Sequence, residues 1–250
     1  MKRQRGAALL VILMIAGLLG AFFAMRLLGG ASAERDRVTA STLALAQVRE
    51  ALIGFAISNG RLPCPAIATQ NAATNPLTVG LEPSPVLAAG CANLAGALPW
   101  ATLGISETDS WGNRFSYRVT KQFTRTVPQA SFLPGTCTPV PLPPNAAFAL
   151  CSQGDMTVLS TGGGTTLANT VPVMVISHGK NGNGAYNTKG NQLPVGADAD
   201  ELENQLTGAG KTTANTIFIL KSPTSTFDDI VTWLPLSVLL DRMQKVNKLP

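Results

Sequence analysis

The sequence has few charged residues, few aromatic residues and one histidine. Charged side chains make up 13% of the 250 residues, against about 25% in an average soluble domain. The basic residues past the N-terminus are scattered, which argues against a nucleic-acid-binding surface, and no nucleic-acid partner is expected. A lone His178 and the lack of C-x-x-C pairs argue against a zinc site.

The N-terminus has the charge pattern of a segment that enters a membrane. Lys2, Arg3 and Arg5 precede residues 6–25, which contain no charged side chain. As an α-helix this stretch would reach about 30 Å, the thickness of the hydrocarbon core of a bilayer. Because flanking basic residues stay in the cytoplasm, the pattern predicts a cytoplasmic N-terminus and an exported remainder.

Three fates of this segment are compatible with the sequence. A peptidase could cut after Gly6 on the cytoplasmic side and leave the apolar helix on a mature chain that begins with Ala7. The segment could also remain uncut as a membrane anchor. A signal peptidase could instead cut after residues 31–33 (Ala-Ser-Ala), before Glu34, although Arg26 and the length of the apolar run argue against a signal peptide.

The chain divides into four parts. Residues 1–6 form a basic leader, 7–28 a transmembrane helix, 29–60 an amphipathic helix that continues into the globular domain, and 61–250 that domain. The 24 Gly and 17 Pro residues indicate a turn-rich domain of strands and loops. Apolar residues at helical spacing predict that the amphipathic helix lies on a sheet: Val38, Leu45, Val48, Leu52 and Phe55.

Four short apolar or alternating segments predict strands: 114–119, 156–159, 171–176 and 216–220. A one-sided helical pattern follows Pro235 and closes the chain. Residues 61–110 are predicted to form a long irregular connection between the amphipathic helix and the first strand. The predicted fold is α+β, with a long N-terminal helix on an antiparallel sheet of about four strands, long stapled loops and a C-terminal helix.

The four cysteines predict disulfides, because the chain is exported. Three pairings are open. The local one, Cys64 with Cys91 and Cys137 with Cys151, is favoured because each bond closes one loop. Buried free thiols are the alternative interpretation.

Three segments resemble the type IV pilin-like and type II secretion pseudopilin family. The start Arg5-Gly6-Ala7-Ala8-Leu9-Leu10 is similar to the cleavage region of some minor members. Residues 109–118 (DSWGNRFSYR) resemble the Asp-Pro-Trp-Gly-Asn-Pro-Tyr-x-Tyr segment of major pseudopilins, and residues 173–184 (VMVISHGKNGNG) resemble their glycine-rich loop. The segment 61–65 (RLPCP) and the ending 227–233 (FDDIVTW) point to a minor group and away from the major pseudopilin itself.

The resemblance implies a pilin-like fold and a minor subunit that primes, caps or decorates a type IV filament or a type II secretion pseudopilus. It implies cleavage after Gly6 by prepilin peptidase, methylation of Ala7, and association with other pilins through the N-terminal helix. The chain would cross the inner membrane once, with its globular domain in the periplasm or, within a filament, at the cell surface. An exported, membrane-tethered binding module for adhesion or DNA capture, never built into a filament, is the alternative.

Two positions depart from the family. The fifth residue of a mature family member is normally Glu, whose carboxylate offsets the N-terminal amine of a neighbouring subunit in the filament core. If cleavage follows Gly6, this position is Val11. The lack of a carboxylate suits a subunit at the filament tip. The Asp of the family's calcium-binding loop corresponds to Asn181, beside Lys180. Oxygen ligands for Ca²⁺ could come from a later acidic segment, although a solvated loop is the simpler interpretation: Asp198, Asp200, Glu201 and Glu203. No other cofactor is expected.

Enzymatic interpretations are weak. Residues 208–212 (GAGKT) resemble a phosphate-binding loop, but Gln205 stands where the first glycine of that motif belongs. His178 lies in a glycine-rich loop without a nucleophile motif. The pair Asp228 and Asp229 could act as paired carboxylates, but such a pair more often forms a turn at the end of a strand. The sequence therefore predicts a protein that is not an enzyme.

Overall fold

The computed structural model describes residues 5–128, 137, 143–206 and 216–249. Within the first helix, the side chains of residues 5–11 and 21–31 lie outside this description. The chain divides into two compact units, and the boundary between them lies between Ala40 and Ser41.

The first helix, α1, runs over Arg5–Asn59, 55 residues. Its backbone remains helical at the two glycines of positions 29 and 30. The helix ends where Gly60 takes a positive φ of 71°, a conformation that glycine adopts without a steric penalty. A side chain there would also collide with the carbonyl oxygen of Asn145.

The second unit contains three further helices and nine short strands among the described residues. The strands are β1 Ala95–Ala97, β2 Asn113–Arg114, β3 Ser116–Val119, β4 Met156–Leu159, β5 Thr166–Val171, β6 Val173–Ser177, β7 Tyr186–Asn187, β8 Ile217–Ile219 and β9 Ile230–Leu234. The helices are α2 Trp100–Leu103, α3 Ala199–Asn204 and α4 Leu236–Lys245, with a 3₁₀ turn at Lys121–Thr124.

The strands form three sheets. The main sheet is antiparallel and has the order β1-β3-β6-β9. A second sheet has the order β5-β4-β8, in which β4 and β5 are antiparallel but β4 and β8 are parallel. A short pair, β2 with β7, completes the set.

The main sheet is buried on both faces. On one face, Phe115, Tyr117 and Val119 of β2–β3 pack with the C-terminal part of α1 and with α4. On the other face, Met174 and Ile176 of β6 pack with the second sheet. The predicted stripe of α1 is found in the first core, where Leu45, Val48 and Leu52 are buried, whereas Val38 is exposed.

Both disulfides are present in the local pairing. Cys64 bonds to Cys91 across 27 residues, and Cys137 bonds to Cys151 across 14. The first bond lies in the long connection after α1, where it closes a loop of little regular structure.

The predicted α+β class, the long N-terminal helix and the C-terminal helix are confirmed. The main sheet has the predicted four antiparallel strands, but the expectation of a single sheet is wrong, because the predicted strands 156–159 and 216–220 form β4 and β8 of the second sheet. The predicted strand 171–176 is the junction of β5 and β6, and β1 and β9 were missed because they are short or lie beside a turn signal. The parallel pair β4 and β8 could not be read from the sequence, since strand pairing depends on contacts distant along the chain.

Candidate functional site

Residues 109–118, one of the three segments that resemble pseudopilins, begin with a turn that contacts both α1 and the main sheet. Asp109 Oδ1 accepts hydrogen bonds from the N–H groups of Trp111 (2.9 Å) and Asn113 (3.0 Å). Its Oδ2 accepts one from Ser177 Oγ at 2.7 Å, and the N–H of Ser110 donates to Ser41 Oγ at 3.1 Å. Through these hydrogen bonds the turn connects α1, at Ser41, to the end of β6, at Ser177.

Arg114 follows this turn and is almost fully buried, with 1% of its side chain exposed. Its guanidinium donates to Glu107 Oε1 (2.7 Å) and to the carbonyls of Ala68, Gln70 and Thr188. Such a fork of fixed donors is a property of arginine that lysine lacks. These hydrogen bonds hold the long loop after α1, at Ala68 and Gln70, against the segment that follows β7, at Thr188.

The glycine-rich loop after β6 directs two amide side chains, of exposed Asn181 and half-buried Asn183, towards Glu201. Gly179, Gly182 and Gly184 all have positive φ, which allows tight turns. The loop carries Asn181 and Asn183, whose side-chain amides donate to the two carboxylate oxygens of Glu201 at 2.7 and 2.8 Å.

Three carboxylates converge beside this loop. One oxygen each of Glu201, Asp228 and Asp229 lies within 4.8 Å of the others. Glu201 and Asp229 are buried and Asp228 is half-buried. Burial, with the neighbouring charges of Glu201 and Asp229, raises the pKa of Asp228, while a hydrogen bond from the N–H of Asn181 opposes the shift.

His178 joins this cluster to the main sheet. Its Nε2 lies 2.8 Å from Ser116 Oγ, and its Nδ1 lies 3.4 Å from Asp229 Oδ1. The side chains of His178 and Asp229 are both fully buried. Neither Nδ1 nor Asp229 Oδ1 has a hydrogen-bond partner within the described part of the chain.

Ser116 contacts Nε2 of His178 and Asp229 lies beside its Nδ1, as in a Ser-His-Asp hydrolytic triad. A stabilised oxyanion would also need free donors beside the serine. Ser116 lines a cavity of about 260 Å³ together with Arg114, Gly184 and Tyr186. The Arg114 donors already contact Glu107 and backbone carbonyls. The geometry fits a ligand set or a structural network better than a nucleophile.

The structure separates the acidic residues that the sequence grouped as calcium ligands. Asp198 caps α3 by accepting from the N–H groups of Asp200 and Glu201. Asp198 and Asp200 also pair with Lys221, at 3.5 and 2.6 Å. A hydrogen bond from Thr226 lowers the pKa of Asp198. Glu201, by contrast, belongs to the carboxylate cluster.

Sequence reasoning missed the meeting of Glu201 with Asp228 and Asp229. The available signal is the pair of acids directly before β9, a pattern that more often marks a turn. Residues 208–212, which resemble a phosphate-binding loop, lie outside the described residues.

The N-terminal helix presents an apolar surface. Six large apolar side chains in its described part are between 52% and 71% exposed: Ile12, Leu13, Met14, Ile15, Leu18 and Leu19. Gly6 and Ala7 lie in the first turns of α1, and the side chain of Val11 is outside the described residues. Residues 31–33, the alternative cleavage site, are also helical.

Among the residues whose side chains are described, the Ser32–Asn59 part of α1 is long and apolar enough to cross a membrane. A core helix meets the same criterion, and Leu45, Val48 and Leu52 of this segment face the core. An N-terminal apolar helix of this kind is a feature of membrane anchors and of signal sequences, and two disulfides suit an oxidising compartment.

Comparison of the chain with models of known protein families, with curated proteins and with solved structures finds no match.

Proposed function

We propose that this protein is a membrane-anchored, pilin-like minor subunit that primes, caps or decorates a type IV filament or a type II secretion pseudopilus. It works through helix association and surface contacts. In this proposal the apolar end of α1 sits in the inner membrane or in a filament core, and the domain that begins at Ser41 faces the periplasm.

The observation that carries the proposal is the unbroken α1 helix with two kinds of environment. Ile12, Leu13 and Leu18 expose more than half of their surface, whereas Leu45, Val48 and Leu52 are buried in the core of the domain. A soluble monomer rarely exposes so continuous an apolar surface. A lipid bilayer or neighbouring helices would cover it.

Val11 favours a position at the filament tip within this proposal. A repeating subunit needs a carboxylate for each buried N-terminal amine of its neighbour, because an unpaired charge in an apolar core is costly. A subunit at the tip has no neighbour above it with such an amine. We therefore propose that the protein is present in few copies per filament.

The alternative, an exported and membrane-tethered binding module, is favoured by one feature of the domain. The cavity of about 260 Å³ next to Ser116 is lined by small residues of β1 and of the loop 65–69. Leu77 is 86% exposed in the same long connection. Such a surface could bind a ligand without any filament.

Sheared-filament proteomics and co-purification with the assembly machinery separate the two proposals. We expect the wild-type chain in the filament fraction at low abundance. Leu13→Arg should remove it, because a charge in an apolar helix costs about 2.5–3.5 kcal/mol near its centre. Leu77→Arg, at a more exposed leucine outside α1, is the matched control and should be retained.

Absence of the wild-type chain from filaments and from the assembly machinery, with normal membrane anchoring, would reject the subunit proposal in favour of the tethered module. Abundance equal to that of the major subunit would reject the tip position.

A further inference from the structure

In the part of the chain that the structure describes, no lysine or arginine side chain pairs with Glu201, Asp228 or Asp229, and His178 lies beside Asp229. Within the described residues, the ion pairs of Lys and Arg side chains involve other acids. Three carboxylates this close repel one another, and burial strengthens the repulsion. Such a group is stabilised either by protons or by a bound cation.

The hydrogen-bond donors around the cluster leave selected atoms open. Asn181 and Asn183 orient Glu201, and Asn204 Nδ2 donates to Asp229 Oδ2 at 2.9 Å. Asp228 Oδ2 accepts from the N–H of Asn181 at 2.9 Å. The remaining oxygens, Asp228 Oδ1 and Asp229 Oδ1, are buried and have no hydrogen-bond partner in the described residues.

His178 provides an independent observation that points to a ligand. It is fully buried, and among the described residues its Nδ1 has no hydrogen-bond partner, although it lies 3.4 Å from Asp229 Oδ1. Two ligands bound to one ion at 2.0–2.2 Å are separated by about 3–3.5 Å when they are adjacent in its coordination sphere. The contact with Ser116 Oγ at Nε2 is the type of outer contact that fixes a metal-binding imidazole.

We propose that Glu201, Asp228, Asp229 and His178 bind one divalent transition-metal ion. The imidazole nitrogen distinguishes this site from an all-oxygen site for Ca²⁺ or Mg²⁺, because nitrogen ligands suit Zn²⁺ and its neighbours in the transition series. The carboxylate oxygens are already within 4.8 Å of one another. Three atoms 4.8 Å apart lie about 2.8 Å from their common centre, so each oxygen would move by up to about 0.7 Å to reach a bonding distance of about 2.0–2.2 Å. His178 Nδ1, which neighbours Asp229 but is not one of the atoms within 4.8 Å of all the others, would move further.

An ion can reach the cluster through Asp228, which is half-buried and therefore partly open to solvent. The backbone of Gly179, at φ 57°, passes close to it. A Cβ at this position would lie 2.6 Å from Asp228 Cγ. The bound ion would link the glycine-rich loop, α3 and the residues directly before β9, because each of them supplies a ligand.

The test uses the full chain in detergent, without a polyhistidine tag and stripped with EDTA. Zn²⁺, Mn²⁺ and Ca²⁺ are added separately, and bound ions are counted by mass spectrometry of the metal while affinity is measured by calorimetry. We expect one Zn²⁺ or Mn²⁺ ion per chain, bound more tightly than Ca²⁺, and a higher unfolding temperature when it is bound.

Asp229→Asn should abolish binding, and His178→Gln should weaken Zn²⁺ binding at least about ten-fold. Asp241→Asn, at an exposed acid paired with Lys245, is the matched control and should bind as the wild type does. If Asp229→Asn does not fold by near-UV circular dichroism, Asp228→Asn replaces it, because Asp228 is half-exposed.

Two results would overturn the proposal. One is a folded wild-type chain that binds no divalent cation up to about 1 mM, the weak end of protein cation sites. The other is metal binding that is unchanged in the Asp229 or Asp228 variant, or Ca²⁺ preferred over Zn²⁺ with no effect of His178→Gln. The test does not depend on whether the chain enters a filament.

Discussion

Replacing Arg114 by lysine should destabilise the domain strongly even though the charge is kept. The guanidinium contacts Glu107 and three backbone carbonyls and lies over the Trp100 ring, 4.6 Å from its centre. A lysine ammonium has three donors on one atom and cannot reach partners that lie on different sides of a planar group.

The magnitude follows from the groups left without partners. A buried acceptor that loses its hydrogen bond costs about 1–3 kcal/mol, and Arg114→Lys leaves at least two of its acceptors unsatisfied. We expect a loss of about 3 kcal/mol for lysine. Arg114→Met removes every one of the guanidinium donors and also the cation beside Glu107, whose side chain is 34% exposed, so we expect a loss at least as large as that of lysine.

The assay is urea unfolding of the detergent-solubilised chain, followed by tryptophan fluorescence. Arg242→Lys in α4 is the matched control, because Arg242 is exposed and surface changes usually stay within about 0.5 kcal/mol. If Arg114→Lys lowered the free energy of unfolding by less than about 1 kcal/mol, the inference that Arg114 holds the long loop in place would be refuted.

Three further predictions concern the disulfides, Val11 and Asp228. Replacing both cysteines of the Cys64–Cys91 bond by serine should cost about 3.5 kcal/mol, and those of Cys137–Cys151 about 3 kcal/mol, because the loops span 27 and 14 residues. Urea unfolding measures both, and four free thiols in exported protein would contradict the bonds. Val11→Glu should leave membrane insertion intact, since one carboxylate near the end of an apolar helix costs at most about 3 kcal/mol; release by alkaline extraction would contradict this. Asp228→Asn in EDTA should raise the unfolding temperature at neutral pH, because the raised pKa of Asp228 means that its ionisation destabilises the fold as pH rises from the unfolded pKa through the folded one. The gain should disappear below about pH 3.9, the ordinary pKa of Asp, and a lower unfolding temperature at neutral pH would refute the reasoning.

Local patterns in the sequence predicted the elements whose cause is local. The apolar spacing of Leu45, Val48 and Leu52 predicted the core-facing side of α1. The predicted boundary at residue 60 lies one residue beyond the end of the helix at Asn59. The alternation at residues 114–119 predicted a strand, which the structure divides into β2 and β3 at Phe115.

Features that depend on distant contacts could not be predicted. Arg114 looked like an exposed residue of an alternating strand, yet it is buried because the loop from Ala68 to Gln70 lies over it. Nothing in the local sequence brings His178 to Asp229, 51 positions later; the pairing of β6 with β9 does so. The sequence groups candidate calcium ligands by proximity along the chain, yet Asp198 of that group caps α3 and Asp200 pairs with Lys221.

The mature N-terminus tests the central claim most directly. Intact and peptide mass spectrometry of the protein extracted from membranes should find a chain that begins with a methylated Ala7, because cleavage after Gly6 leaves the apolar helix on the mature subunit. Gly6→Val should block this cleavage, while Gly17→Ala, where an added Cβ meets no other atom within 4 Å, should leave it unchanged. A mature chain that begins at Met1 or at Glu34 would contradict the pilin-like account.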